Sequence, residues 1–248
     1  MKLIKASYQI ITPINGEEIL KQIELAARTC YKSEGKIEYA EALNGTSLTP
    51  TFYASSARKL IPKLISNNHE AMLEFGGMIT VKIICDRGIS HELVRHRIAS
   101  FAQESTRYNN YGKDEHISFI IPCWLDYIPE LESNSISELE VFIPDKSIGI
   151  GDRNCVDDGF SWALDMLQSQ NKYFNKIKFF HWTPQQARSV LPISLKTEVN
   201  ISANIREWRY IFKLRTANAA HPQMRELMCP LLDEFKKRIP ILFDDIKY

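Results

Sequence analysis

Cysteine is scarce in this chain of 248 residues, and its spacing excludes two common uses of the residue. The cysteines are odd in number, lie far apart and never form a Cys-x-x-Cys pair. They are Cys30, Cys85, Cys123, Cys155 and Cys229. Small disulfide-linked scaffolds use an even, dense set, and structural zinc sites use closely spaced ligands. We therefore expect neither a disulfide framework nor a structural zinc site.

The sequence also has little net charge and no long apolar run. Its 31 Lys and Arg residues nearly balance its 30 Asp and Glu residues, which leaves a formal net charge of +1. Such a chain has no overall field for nucleic acid or for an anionic membrane, so any affinity for phosphate must come from arginines gathered locally. Because no secretion signal and no membrane-spanning run is found, we predict a cytoplasmic protein with neither nucleic acid nor membrane as partner.

The hydrophobic pattern mixes helices and strands without strict alternation. It predicts strands at 2–11, 78–85, 117–121 and 197–203. It predicts helices at 17–31, at 53–66, from Ser90 as cap to 97, from Asp157 or Asp158 to about 179, after Thr183-Pro184, from Asn204 to 214, and from Pro222 onward. Residues 129–158 are rich in Ser, Gly, Asp and Asn, which favours a loop excursion. The predicted fold class is α+β, with a mixed, largely antiparallel sheet flanked by helices.

The most informative stretch is the segment 95–108. It opens with Arg95, His96 and Arg97, and it continues to Ser105 and Arg107. Guanidinium groups match phosphate oxygens in a two-pronged geometry, and small hydroxyls add donors, so this pattern favours a phosphorylated ligand. A single arginine is more often a solvated surface charge. Several cations following a predicted strand and turn indicate a binding site instead.

The spacing of this segment resembles the signature of the flavin-dependent thymidylate synthases, in which Arg-His-Arg is followed, after seven residues, by Ser. Three further blocks at compatible spacing resemble the same family. They are His69-Glu70-Ala71-Met72-Leu73-Glu74, Gln186-Ala187-Arg188-Ser189-Val190-Leu191-Pro192, and Ala203-Asn204-Ile205-Arg206-Glu207-Trp208 with Leu214-Arg215. The resemblance extends over residues 1 to about 240 and is weaker near 125–180.

The resemblance implies an activity and an assembly. The activity is the FAD-dependent reductive methylation of dUMP to dTMP, with NADPH as reductant and methylenetetrahydrofolate as carbon donor. Cofactors carry most of such chemistry, while the protein orients and polarises the reactants. The implied assembly is a homotetramer of single-domain chains, with the flavin bound where subunits meet. No protein cysteine serves as nucleophile in this family.

The resemblance also assigns site residues. FAD binding falls to His69, Ala71, Arg95, His96, Arg97, Gln103, Asn204, Arg206 and Tyr210. Binding of dUMP falls to Glu92, Arg95, Gln103, Glu104, Ser105, Arg107, Arg188 and Arg215. Arg215 is the predicted catalytic residue, since the family's equivalent arginine lies beside the uracil and stabilises its ionised form. A fixed cation that faces developing negative charge acts on the same principle as an oxyanion hole.

The chain departs from the family pattern at several of these positions. Ala71 replaces a residue that often carries a hydroxyl, Ala102-Gln103 replaces a common Asn-Glu pair, and Tyr210 replaces a frequent Asn. These departures weaken the assignment of Gln103 to FAD and bear on the flavin or folate side of the site. Near Arg215, Ala219 and His221 stand where the family usually has His and Gln.

Two other functions stay open on the sequence alone. One is a nucleotide-binding or nucleic-acid-binding module that uses the arginine cluster, which the balanced charge disfavours. The other is a cysteine-dependent thymidylate synthase, which needs an activated thiolate. In this chain Pro122-Cys123 is followed by Trp124, where that family has His. A metal site at the histidines is disfavoured by the absence of His-Glu-x-x-His spacing.

Overall fold

The computed structural model describes residues 1–42, 51–113, 116–125 and 155–248, and it divides into two compact units. The first unit consists of Met1–Ser7, Ile84–Leu93 and Gln103–Val199. The second consists of Tyr8–Ile83, Val94–Ala102 and Asn200–Tyr248. Each unit is assembled from three separate stretches of chain, so residues that are far apart in sequence pack together within the same unit.

Eight strands form the sheets in the described part of the chain. They are β1 (Lys2–Ile4), β2 (Ser7–Ile10), β3 (Tyr39–Ala42), β4 (Thr51–Ala54), β5 (Met78–Asp86), β6 (Ser100–Gln103), β7 (Ser118–Ile120) and β8 (Lys196–Asn204). The largest sheet has the order β2-β5-β8-β6. β3 and β4 pair antiparallel, whereas β1 and β7 pair parallel, with Lys2 opposite Ser118. The single strand predicted at 2–11 is thus two strands that belong to different sheets.

The helices alternate irregularly with these strands. They are α1 (Gly16–Cys30), α2 (Ser55–Ser66), α3 (Arg87–Leu93), α4 (Cys155–Lys178), α5 (Pro184–Ala187), α6 (Ile205–Arg215), α7 (Pro222–Arg238) and α8 (Pro240–Phe243). Short 3-10 segments lie at Glu34–Lys36, Glu70–Gly76 and Arg188–Val190. The prediction of mixed helices and strands, with an antiparallel sheet flanked by helices, is confirmed. The single domain and the homotetramer stay predictions.

Three predicted helix starts were wrong. α2 begins at Ser55, because residues 53 and 54 belong to strand β4. α3 begins at Arg87, not after Ser90, because the Asp86 carboxylate accepts a hydrogen bond of 2.7 Å from the backbone N–H of Ile89 and so caps the helix earlier. This helix ends at Leu93, which leaves Arg95 to Arg97 in the turn that follows. α4 begins at Cys155, ahead of Asp157 and Asp158. Most of the predicted excursion at 129–158 lies outside the described residues, and its last four positions are helical.

An aromatic core fixes α6 within the second unit. Trp208 and Phe212 on this helix pack against Phe235 and Phe243, with ring centroids 5.1 to 5.8 Å apart. The indole N–H of Trp208 donates a hydrogen bond of 2.9 Å to the carbonyl of Ile79 on β5. Burying large aromatic rings in such stacked and edge-to-face contacts contributes about 2–3 kcal/mol per side chain. The helix is therefore a rigid support for the polar side chains on its other faces.

The first unit has a core of its own. Its buried members are Ile117, Phe119, Met166, Tyr173, Ala187 and Leu195. The backbone N–H of Ile117 donates to the Gln170 side chain at 2.8 Å, which joins β7 to α4. The backbone N–H of Thr183 donates to the Gln186 side chain at 2.9 Å, so the predicted start of α5 is confirmed. This packing sets the position of Arg188, which follows α5 directly.

Candidate functional site

An open pocket of about 490 Å³ lies in the second unit, and we call it the Arg-His-Arg pocket. Its lining residues are Glu70, Glu74, Arg95, His96, Arg97, Ile98, Asn204, Arg206, Glu207 and Tyr210. They come from the 3-10 segment Glu70–Gly76, the turn after α3, and the first turns of α6. Six of the nine predicted FAD residues are among them. Three stretches that are separate in sequence therefore meet at one cavity of the size usual for small-molecule sites.

His96 is the buried centre of this pocket. Only 3% of its surface is exposed, and its ring meets Tyr210 edge-on with centroids 5.6 Å apart. Its Nε2 accepts a hydrogen bond of 3.0 Å from Nε of Arg215. Burial, and then the charge of Arg215, lowers the pKa of His96 from 6.5 to about 4. His96 is therefore neutral at physiological pH, and its role is to hydrogen-bond rather than to carry charge.

The other ring nitrogen of His96 faces a carboxylate. Nδ1 lies 3.4 Å from Oε1 of Glu207, and both side chains are buried. The contact is not aligned as a hydrogen bond, and Nδ1 has no other hydrogen-bond partner among the described residues. Burial raises the pKa of Glu207, although the charge of Arg206 acts in the opposite direction. A buried N–H donor thus lines the pocket, where a ligand acceptor would satisfy it.

The rim of the pocket carries exposed charges. Nη1 of Arg206 lies 2.6 Å from Oε1 of Glu74, and both side chains are about half exposed, at 50% and 45%. Arg95 and Arg97 are exposed on the neighbouring turn. Asn204 caps α6, because its Oδ1 accepts a hydrogen bond of 2.8 Å from the N–H of Glu207. Three guanidinium groups beside a helix start suit an anionic ligand.

A buried ion pair supports the wall of the pocket. The guanidinium of Arg209 is fully buried and makes two hydrogen bonds of 2.7 Å to the carboxylate of Asp245. It also donates to the carbonyl of Leu242 and, at 3.3 Å, to Glu70, which lines the pocket. Lys213 adds a bond of 3.0 Å to Glu70. The C-terminal segment and the pocket wall therefore share one cation.

Most of the predicted dUMP residues lie in the first unit. Nη1 of Arg188 donates to the Thr106 hydroxyl at 3.0 Å, and the N–H of Arg107 donates to the Ser105 hydroxyl at 3.3 Å. The guanidinium of Arg107 lies 5.5 Å from the centre of the Tyr108 ring. These contacts place two arginines and two hydroxyls on and beside one loop. Such a set can bind a phosphate.

Glu104 organises the start of this loop through contacts that the sequence did not reveal. Its carboxylate accepts hydrogen bonds from the Tyr111 hydroxyl at 2.9 Å, from Asn109 at 3.2 Å and from Lys196 at 3.2 Å. Arg87 donates to the backbone carbonyl of Glu104 at 3.0 Å. Burial and the charge of Glu104 raise the pKa of Tyr111. Burial alone would lower the pKa of Lys196, but its bonds to Glu198 and Glu104 raise it.

The structure places the other predicted residues elsewhere. His69 and Ala71 are exposed at the start of the 3-10 segment Glu70–Gly76 and do not line the Arg-His-Arg pocket. The Gln103 amide already donates to the hydroxyls of Ser90 and Thr197, at 2.8 and 3.2 Å. Glu92 is half-buried on α3. Their assignments to FAD and dUMP stay predictions.

The described ranges contain neither a candidate metal centre nor a helix able to span a membrane. Residues 1–42, 51–113, 116–125 and 155–248 hold no group of three or more His, Cys, Asp or Glu side chains that could bind a metal ion. Among the helices within those same ranges, none combines the length and the apolar character needed to cross a bilayer.

Comparison with known proteins gives the family. The family model described as thymidylate synthase complementing protein matches residues 14–241. The chain belongs to this family. The matched range includes the Arg-His-Arg pocket, the Arg107 and Arg188 cluster, and Arg215.

Three curated relatives of the chain carry the name flavin-dependent thymidylate synthase. The protein from Corynebacterium aurimucosum is 26% identical over 224 residues, which are 90% of this chain and 78% of the relative. The protein from Pyrococcus furiosus is 28% identical over 230 residues, covering 92% and 77%. The protein from Geobacter sulfurreducens is 28% identical over 228 residues, covering 90% and 80%. The family resemblance predicted from the motifs is therefore confirmed.

Proposed function

We propose that this protein is a flavin-dependent thymidylate synthase that converts dUMP to dTMP, with FAD as cofactor, NADPH as reductant and methylenetetrahydrofolate as carbon donor. The observation that carries the proposal is the meeting of six predicted FAD residues at one pocket. Family membership over residues 14–241 and the name that the relatives share support the same reaction. A cytoplasmic location and a homotetramer are part of this proposal.

The residues of the Arg-His-Arg pocket fit a flavin dinucleotide. The pyrophosphate requires cations, which Arg95, Arg97 and Arg206 supply at the rim. The buried Nδ1 of His96 requires a hydrogen-bond acceptor, and a flavin offers several. The half-exposed Tyr210 offers an aromatic face for a ring system. When bound there, the flavin would supply the hydride that reduction of the nucleotide requires.

Arg215 has the chemistry that the catalytic step needs. Its guanidinium is held by the neutral His96 through the hydrogen bond of 3.0 Å, so the cation has a fixed direction. A preorganised cation stabilises negative charge that develops on a uracil ring, and it does so without reorganisation during the reaction. Since His96 is neutral, it orients Arg215 and adds no second charge beside it.

Arg107, Arg188 and Ser105 are proposed to bind the phosphate of dUMP. The Glu104 network keeps the loop that carries Ser105 and Arg107 in place, because the carboxylate of Glu104 accepts hydrogen bonds from Tyr111 and Lys196. We expect Glu104 to shape this loop as well as to contact the nucleotide. A fixed loop lowers the entropy that binding the phosphate costs.

The experiment that tests the proposal is spectroscopic. The purified protein, or the protein after addition of FAD, should show flavin absorption that NADPH bleaches under anaerobic conditions, and bleaching should be faster with dUMP present. Addition of methylenetetrahydrofolate should then yield dTMP. A protein that binds no flavin and makes no dTMP would refute the proposal. Salt-sensitive binding of polynucleotides by such a protein would favour the nucleic-acid-binding module.

The cysteine-dependent reaction has its own test. Burial and the neighbouring Asp86 raise the pKa of the Cys85 thiol to about 12, so this thiol is protonated and unreactive. Cys30 and Cys123 are exposed, and alkylation with iodoacetamide would reach them. Turnover that survives full alkylation would exclude a cysteine nucleophile. Loss of turnover that dUMP protects against would contradict the flavin-dependent proposal.

A further inference from the structure

The hydrogen bond between Arg215 and His96 shows which tautomer the histidine adopts. An arginine side chain has only N–H donors, so the Nε2 atom that faces Nε of Arg215 at 3.0 Å must carry a lone pair and no proton. His96 is neutral in this environment. Its single ring proton therefore lies on Nδ1, on the side of Glu207.

Glu207 is placed to hold that proton. Its Oε1 atom lies 3.4 Å from Nδ1 of His96, and both side chains are almost fully buried, so solvent screens the attraction little. A negative or hydrogen-bond-accepting oxygen on this side stabilises the Nδ1–H form and disfavours a lone pair there. The contact is not aligned as a hydrogen bond, so the Nδ1–H group stays available to a ligand in the pocket.

We propose that Glu207 is a positioning residue: it keeps the proton of His96 on Nδ1, which leaves Nε2 as the acceptor that fixes the direction of the Arg215 guanidinium. The three side chains form a chain of contacts, from the carboxylate of Glu207 through the imidazole of His96 to the guanidinium of Arg215. In this arrangement Glu207 acts on Arg215 through His96. The kinetic consequence rests on the proposed function of Arg215, whereas the tautomer itself does not.

The other nearby charges do not replace Glu207 in this role. Glu74 lies at the rim, half exposed, and is paired with Arg206. Glu70 is paired with Arg209 and Lys213. Within the described residues, Glu207 is the carboxylate whose ion-pair contact is with His96 itself.

The direct test is nitrogen-15 NMR of the full-length protein, without turnover. The chain has six histidines, so selective labelling gives few signals, and the His96→Gln variant identifies the one that belongs to His96. In the wild type at pH 7 we expect the proton on Nδ1 and a lone pair on Nε2. A proton on Nε2, or a doubly protonated ring, would overturn the proposal without any Glu207 variant.

The variant test is Glu207→Gln, which keeps the shape and removes the charge. A carboxamide can donate to Nδ1 as well as accept from it, so the preference for the Nδ1–H tautomer should weaken and the Nε2–H form should appear. Since His96 then no longer directs the Nε–H of Arg215, kcat should fall about 10-fold to 100-fold, while the KM for dUMP stays within about twofold and the flavin stays bound. An unchanged tautomer with unchanged kcat would refute the role.

Glu24→Gln is the matched control. Glu24 is equally buried in the same unit, but it is paired with Arg28 and Ser56 on the α1 side and does not line the pocket. The Glu24→Gln variant should be less stable than the wild type, without any change in the His96 tautomer. If the wild type binds no flavin and makes no dTMP, the proposed function fails, and the NMR result still decides the role of Glu207.

Discussion

The ion pair between the buried Arg209 and the partly exposed Asp245 allows a prediction of how strongly the C-terminal segment stabilises the protein. Replacing Asp245 by Ala leaves the fully buried guanidinium with Glu70 at 3.3 Å and one carbonyl as its remaining partners. Removing one partner of a buried ion pair costs about 3–5 kcal/mol. Because 44% of the Asp245 side chain is exposed, solvent screens part of this interaction, and we expect a loss of about 2 kcal/mol.

The assay is reversible urea or thermal unfolding at one fixed protein concentration. A loss of about 2 kcal/mol corresponds to a fall in Tm of about 4–8 °C for a chain of this size. The matched control is Asp244→Ala, because Asp244 is the neighbouring exposed aspartate. If the two variants agree within about 0.5 kcal/mol, which is the usual size of a surface effect, the buried pair does not stabilise the protein as argued.

The same ion pair gives a second, independent prediction, which concerns the pH dependence of stability. Burial would raise the pKa of Asp245, but the hydrogen bonds and the charge of Arg209 lower it below its ordinary value of 3.8. A lowered carboxyl pKa gives stability that is present above the ordinary value and is lost as the pH falls through the lower value of the folded state. The difference in stability between wild type and Asp245→Ala should therefore persist at pH 7 and shrink below pH 3.8.

Three further predictions concern the site and one close contact. Arg215→Ala should keep the bound flavin yet lose most methylation, and retained turnover with dUMP would contradict its catalytic role. Gly16→Ala should lower the free energy of unfolding by about 1–3 kcal/mol, because the added Cβ would lie 2.7 Å from the Arg238 carbonyl oxygen. Gly35→Ala is the control: its Cβ meets nothing within 4 Å, so its stability in the same unfolding assay should be nearly unchanged. The pKa of His96 is 6.5 in the unfolded chain and about 4 in the folded protein, so the unfolded state binds more protons between these pH values. The free energy of unfolding should therefore rise by about 3 kcal/mol as the pH increases from 4 to 6.5. If the His96→Gln variant shows an equally steep dependence of stability on pH, this reasoning is refuted.

Local sequence signals predicted the elements whose ends are set by neighbouring residues. α6 begins where Asn204 caps it, and α5 begins after Thr183, as expected from the capping residues alone. The start of α3 was wrong because two residues, Asp86 and Ser90, could each have been the cap. The choice depends on where β5 ends, and that boundary is set by sheet pairing rather than by local sequence.

The site residues were predicted through the family motifs, and the residues that support them were largely missed. Lys196 contacts Glu104 across 92 positions of sequence, and no local pattern indicates such a contact. One signal was available: Lys196 and Glu198 are two apart on a strand, so they share a face and can pair. Arg87 follows the strand predicted at 78–85 and precedes the binding segment 95–108, so an arginine at this position is a candidate for organising the segment.

The Arg-His-Arg motif shows why residue types alone do not give the chemistry of a site. On the sequence, Arg95, His96 and Arg97 are three neighbouring groups that can each carry positive charge. In the folded protein the two arginines are exposed at the rim, whereas His96 is turned inward, buried and neutral. The motif therefore supplies cations for an anionic ligand on one side and a tautomer-dependent contact to Arg215 on the other. The division of roles follows from the turn after α3, which buries His96 and leaves the two arginines exposed. Burial neutralises His96 because the pKa of an imidazole already lies near neutrality. An arginine keeps its charge even when it is buried, as Arg209 does.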